Sequence, residues 1–149
     1  MGSSRFYENP TISPLFNLIE QVREGRILLP RFQRPFVWED EKRLDLLDSV
    51  RRGIPIGSLL VWRTEKHALT CPTNLGGWAV GAPSSHGPWT YLIDGHQRIM
   101  TLLSALTAPD PALYERVDED DRLRFPVYYD LSEEAFRLRP KRRTLRETW

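Results

Sequence analysis

The segment Trp89-Thr90-Tyr91-Leu92-Ile93 runs into Asp94-Gly95, and helical periodicity follows with Ile99, Leu102, Leu103 and Leu106. Strand patterning gives way to a 3.6-residue period across a single glycine. The chain must therefore build a strand, a tight turn and a helix start in close succession. Such a joint gathers backbone N–H groups and the positive end of a helix dipole at the end of the strand, a ready place for an anion. Arg98, in the first helical turn, can offer a bidentate fork to a phosphate. Asp94 can hold a divalent cation or orient a water, and His96 and Gln97 can position that water or touch nucleotide oxygens. The same residues also suit an ordinary strand–turn–helix joint, with a solvated arginine and an aspartate that merely caps. The joint is not a P-loop, because G-x-x-x-x-G-K-[ST] is absent.

The rest of the chain predicts short mixed elements. Ser13-Pro14 predicts a helix start, with Ser13 as the N-cap, a stripe of Leu15, Leu18, Ile19 and Val22, and Gly25 at its end. Arg26 to Pro30 predicts a short strand stopped by proline. A second helix is expected from Asp40 to Arg52, with Leu44, Leu46, Leu47 and Val50 buried, acids at its N-terminus, and Gly53 after it. Ser58 to Trp62 predicts a buried strand, Trp78-Ala79-Val80 a hairpin arm, Arg124 to Tyr129 a last strand, and Ser132-Glu133-Glu134 the cap of a short helix. This succession gives an α/β (α+β) domain.

Composition narrows the function classes. The 149 residues are 40% hydrophobic, which suits one compact domain. One cysteine, Cys71, excludes an internal disulfide framework, and its place beside Pro72 with no nearby histidine marks it as a bystander. His67, His86 and His96 lie too far apart for a local zinc motif, and no G-x-S-x-G elbow exists. With no long apolar run and no secretory h-region, an intracellular, cytoplasmic protein without a membrane partner is expected. The net charge is only +1, yet residues 115–121 are acidic and residues 137–146 hold only basic charge. The basic run suits either phosphate contact or a solvated end.

A second candidate site is the loop from Arg31 to Trp38, where prolines forbid a regular ladder. Arg31, Gln33 and Arg34 alternate there with Phe32, Pro35, Phe36 and Trp38. The mixture suits contact with a phosphodiester backbone and stacking on a base or sugar. It equally suits Phe36 and Trp38 packing in the core while the arginines pair with the acids at 39–41.

Three segments in series resemble the N-terminal domains of modification-dependent restriction and phage-defence proteins of the GmrSD and SspE type. They are Leu29-Pro30-Arg31-Phe32-Gln33-Arg34-Pro35-Phe36-Val37-Trp38, Ser49-Val50-Arg51-Arg52-Gly53-Ile54-Pro55-Ile56-Gly57-Ser58, and Tyr91-Leu92-Ile93-Asp94-Gly95-His96-Gln97-Arg98-Ile99-Met100-Thr101-Leu102. The resemblance implies a ParB/sulfiredoxin-like mixed sheet with flanking helices. It implies hydrolysis of a nucleoside triphosphate, GTP foremost, with Mg²⁺. Asp94, Gln97 and Arg98 would be catalytic, Gly95, His96 and Arg98 would bind the nucleotide, and Asp94 would carry the metal. It further implies sensing of chemically modified DNA, foremost phosphorothioate DNA, by Arg31, Phe32, Gln33, Arg34, Pro35 and Phe36, with Lys42, Arg43, Arg51 and Arg52 gripping the backbone. The alternative is a non-catalytic switch that binds nucleotide or DNA. On this likeness residues 1–136 form the NTPase and DNA-sensing domain, and 137–149 a basic linker toward a C-terminal, HNH-type nuclease domain. The chain departs from the family pattern at His96, where glutamine is usual, and at Phe32, where tyrosine is common.

Overall fold

The computed structural model describes residues 12–33, 36–117 and 126–138. Its elements run α1 (Leu15–Arg23), α2 (Asp40–Arg51), β1 (Leu60–Thr64), β2 (Asn74–Leu75), β3 (Trp78–Ala79), β4 (Trp89–Asp94), α3 (His96–Leu106), α4 (Pro111–Tyr114), β5 (Val127–Asp130) and β6 (Ala135–Leu138). Helices and small antiparallel sheets are mixed along the chain, so the mixed α/β class read from the sequence holds.

α3 is the central element. Ile99, Met100, Leu102 and Leu103 are buried along it, and its buried hydroxyls are satisfied locally: Thr101 Oγ1 donates to the Gln97 carbonyl and Ser104 Oγ to that of Thr101. Ile19 and Val22 of α1, Leu46 and Leu47 of α2, Trp78 and Leu92 close around it into one core. Burial of each such side chain contributes roughly 1.5–3 kcal/mol before the entropy of ordering is subtracted. Trp78 anchors the β2–β3 hairpin by donating its indole N–H to the Thr107 carbonyl at the end of α3.

β4 pairs antiparallel with β1 on one side and meets Leu28 through a single parallel bridge on the other. The predicted strand at 26–30 is thus reduced to one bridge, with Leu28 N–H on the Thr90 carbonyl and Leu92 N–H on that of Leu28. Pro30 has no N–H with which to continue the ladder. β1 starts two residues later than predicted and is not buried: Leu60, Val61 and Trp62 are exposed, because among the described residues only β4 pairs with this strand. Likewise α1 begins after Pro14, and no side chain caps it, so the N-cap expected of Ser13 does not form.

Two further departures have plain causes. Ser132-Glu133-Glu134 caps no helix. The Asp130 carboxylate accepts from Ser132 N–H, Ser132 Oγ and Glu133 N–H, and Glu134 turns left-handed at φ 49°, which folds the chain into the β5–β6 hairpin. β6 then runs from Ala135 to Leu138, which includes Arg137 at the start of the basic run. Helix α4 was not anticipated, although Asp110-Pro111 signals it: the Asp110 carboxylate accepts from Ala112 and Leu113 N–H, and proline occupies the first helical position. The acidic residues 118–121, the start of the predicted strand at 124–125, and most of the basic run lie outside the described residues.

Candidate functional site

Gly95 is the pivot of the site. It holds φ +102°, and a Cβ built there would run into the Leu59 side chain, so no other residue fits without displacement. Gly95→Ala is expected to destabilise the protein by at least about 1–2 kcal/mol from the backbone alone, read as a lower midpoint in urea unfolding with unchanged slope. The turn delivers the end of β4 straight into the N-terminus of α3.

Around that turn lies a cleft of about 130 Å³ lined by Gln33, Trp38, Asp94, Gly95, His96, Gln97 and Arg98. Asp94 stands at its mouth with a side chain 72% exposed, while the Arg98 side chain is only 17% exposed. Arg98 Nη2 donates to Asp94 Oδ2 at 3.2 Å and Nη1 to the Ile56 carbonyl at 3.0 Å. The guanidinium lies so close over Gly57 that a Cβ there would sit 2.7 Å from Nη1. Ile56 and Gly57 were not singled out individually from the sequence, since their contribution is a carbonyl and an absent side chain. Trp38, read only as part of the loop, lines the cleft.

The loop joins the same site. Gln33 Nε2 donates to the carbonyls of Leu92 and Ile93, at 3.0 and 3.1 Å, and Gln97 Oε1 accepts from Val37 N–H and Trp38 N–H, at 2.9 and 3.2 Å. The three segments that carried the resemblance therefore meet at one place, through Gln33, Gln97 and Arg98.

Other expected site residues are placed differently. Phe32 is 66% exposed, and Arg31 and Lys42 also face solvent, whereas Phe36 packs against the core. Arg34 and Pro35 lie outside the described residues. Arg43 is 0% exposed, and this corrects its reading as a DNA contact. Its guanidinium carbon sits 5.6 Å from the Phe36 ring centroid and its Nη1 is 3.7 Å from Asp40 Oδ1, so it is spent inside the fold. Arg51 and Arg52 are exposed but both pair with Asp48.

His96 is partly buried, and its Nδ1 is shut off from water with no hydrogen-bond partner among the described residues. Burial pushes its pKa below the ordinary 6.5, because the charged imidazolium is poorly solvated there. The unfolded chain then binds the proton more readily than the folded one, so stability falls as pH drops below about 6.5 and is unaffected above it. His96→Gln, which cannot titrate, is expected to flatten that acid limb in melting temperatures taken from pH 8 to pH 5. Burial also pushes the Cys71 thiol up, away from thiolate chemistry.

Among the described residues no three His, Cys, Asp or Glu side chains gather to hold a metal ion, and no helix is long and apolar enough to cross a membrane. Asp94 is the one carboxylate among the residues lining the cleft. That donor set fits Mg²⁺ only where phosphate oxygens complete the coordination, the usual arrangement for this cation.

Comparison with known proteins adds to the geometry. The family model described as the GmrSD restriction endonuclease N-terminal domain matches residues 12–148. An uncharacterized protein of Methanocaldococcus jannaschii is 28% identical over 102 residues, which is 64% of this chain and 17% of that protein. The chain thus spans under a fifth of that relative's length. No solved structure matches significantly.

Proposed function

The chain belongs to the family of N-terminal domains of GmrSD restriction endonucleases, and from that premise we propose that it hydrolyses a nucleoside triphosphate at the Asp94–Arg98 cleft and senses modified DNA with the adjoining 31–38 loop. The observation that carries the reading is the convergence on one cleft of the loop, the 49–58 segment and the β4–α3 turn, through Gln33, Gln97 and Arg98. A restriction-system domain gains from this arrangement, since recognition and turnover would lie side by side. The fold-level kinship to ParB-like proteins and a C-terminal nuclease partner belong to the same proposal.

The residues divide the work by chemistry. The α3 N-terminus and Arg98 hold the phosphates, with Arg98 already oriented by Ile56 and Asp94. Asp94, exposed at the mouth, orients the attacking water and is the residue that would hold Mg²⁺. Mg²⁺, when bound, neutralises charge developing on the phosphates. Water adds to the γ-phosphorus, the bond to the β–γ bridging oxygen breaks, and nucleoside diphosphate and phosphate leave. The exposed Phe32 offers an apolar surface to a softer, less hydrated phosphorothioate edge.

Phosphate release from GTP and other triphosphates with Mg²⁺ tests this, with and without phosphorothioated duplex. The expected result is turnover that rises with the modified duplex and falls about 100-fold or more in Asp94→Asn. A second reading, a switch that binds nucleotide without cleaving it, has one observation in its favour: Asp94, the one carboxylate among the described residues lining the cleft, is already engaged by Arg98. Tight nucleotide binding with no phosphate release would establish that reading instead.

A further inference from the structure

Gln33 and Gln97 line the same cleft and tie the loop to the two elements that the Asp94-Gly95 turn joins. Gln33 belongs to the loop and grips the two carbonyls that immediately precede Asp94. Gln97 belongs to α3, next to Arg98, and its carbonyl oxygen grips two N–H groups of the loop. We infer that this pair is a latch that sets the positions of Gln33, Val37 and Trp38 from the state of the cleft, with Gln97 as a positioning residue and not a catalytic one. The inference rests on the nucleotide reading above and deepens it.

The geometry favours positioning over chemistry. Gln97 is 5% exposed, and its Oε1 already accepts two backbone donors at 2.9 and 3.2 Å, leaving that oxygen little capacity for a water. Both loop amides depend on one atom. A rotation of Gln97 therefore releases them together, as expected of a buried polar network that is satisfied as a whole or not at all. Gln97 lines the same cleft as Arg98, so a ligand whose phosphates Arg98 holds there lies against the latch. From the other side, a duplex pressing on the loop pulls Gln33 against the end of β4.

The test follows Val37 and Trp38 amide hydrogen exchange by NMR in wild type, Gln97→Leu, Gln97→Glu and Gln33→Leu. Each is measured alone and saturated with a non-hydrolysable GTP analogue and Mg²⁺. In wild type the analogue should change exchange at both amides together, by about fivefold or more. Gln97→Leu should speed exchange at both amides about tenfold without ligand and abolish the response to the analogue. Gln97→Glu should restore protection, because a carboxylate oxygen accepts the same two bonds. Gln33→Leu, which leaves Gln97 intact, should weaken the response while sparing basal protection. Wild-type rates in Gln97→Leu, or a full response there, overturn the inference. A wild-type protein that binds the analogue with no change at Val37 and Trp38 overturns it while leaving the nucleotide reading intact. A wild-type protein that binds no analogue overturns both.

Discussion

Arg98→Ala is expected to lower nucleotide turnover by about 10²- to 10³-fold, the scale seen when a preorganised charge-stabilising donor is removed. Arg98 is the one arginine or lysine among the described residues lining the cleft, so among them the cationic charge facing a triphosphate is its own. It is also preorganised: Nη1 is fixed by the Ile56 carbonyl, Nη2 by Asp94, and Gly57 leaves room for the guanidinium plane. Arg98→Lys keeps the charge but offers a single ammonium in place of a fork, which cannot meet both fixed partners from the same position. It should recover little of the activity. The loss of the bond to Ile56 should cost about 1 kcal/mol of stability, small enough for both variants to remain folded by circular dichroism. Arg98→Ala turning over at the wild-type rate would refute the role.

That same residue shows how far the sequence could be read. The anion-competent turn at Asp94-Gly95 was legible because a change of hydrophobic period across a glycine is a local signal, and the structure places the turn, the helix start and Arg98 as that signal requires. The partners of Arg98 were not legible. Ile56 contributes a backbone carbonyl and Gly57 an empty space, and neither leaves a residue-type signature across the intervening chain. Helices with apolar stripes, α1 to α3, were found within a residue or two at their ends. The β5–β6 hairpin was misread because Ser132-Glu133-Glu134 has the composition of a helix cap. Only the placement of the Asp130 carboxylate, which accepts from Ser132 and Glu133, decides for the turn. In the Arg31–Trp38 loop the structure decides only the packing half of the two open readings. Phe36 and Trp38 pack against the core, and Phe32 and Arg31 stay outside.

Arg43 and Lys42, adjacent in sequence and alike in charge, should behave as opposites under mutation. Lys42 is exposed on α2 and Arg43 is wholly buried. Replacing Arg43 by alanine removes a long side chain from beneath Phe36 and leaves a cavity between α2 and the loop, at a cost of about 2–5 kcal/mol. Asp40, one of the groups it leaves behind, does not add much, since it is half-exposed and can return to water. Because Phe36 rests on that guanidinium at the start of α2, the loss should loosen the 31–38 loop as well. Arg43→Met, which fills the same space with an apolar chain, should recover most of the stability without the charge. Lys42→Ala should leave unfolding unchanged within about 0.5 kcal/mol and, where α2 faces the duplex, weaken DNA binding with a shallower salt dependence, by about one counterion. Urea unfolding and DNA titrations at several salt concentrations separate the two residues. If Arg43→Met folds as stably as wild type but no longer binds DNA, the buried arginine must leave its place beneath Phe36 when the duplex arrives, and its exclusion from the interface would be reversed.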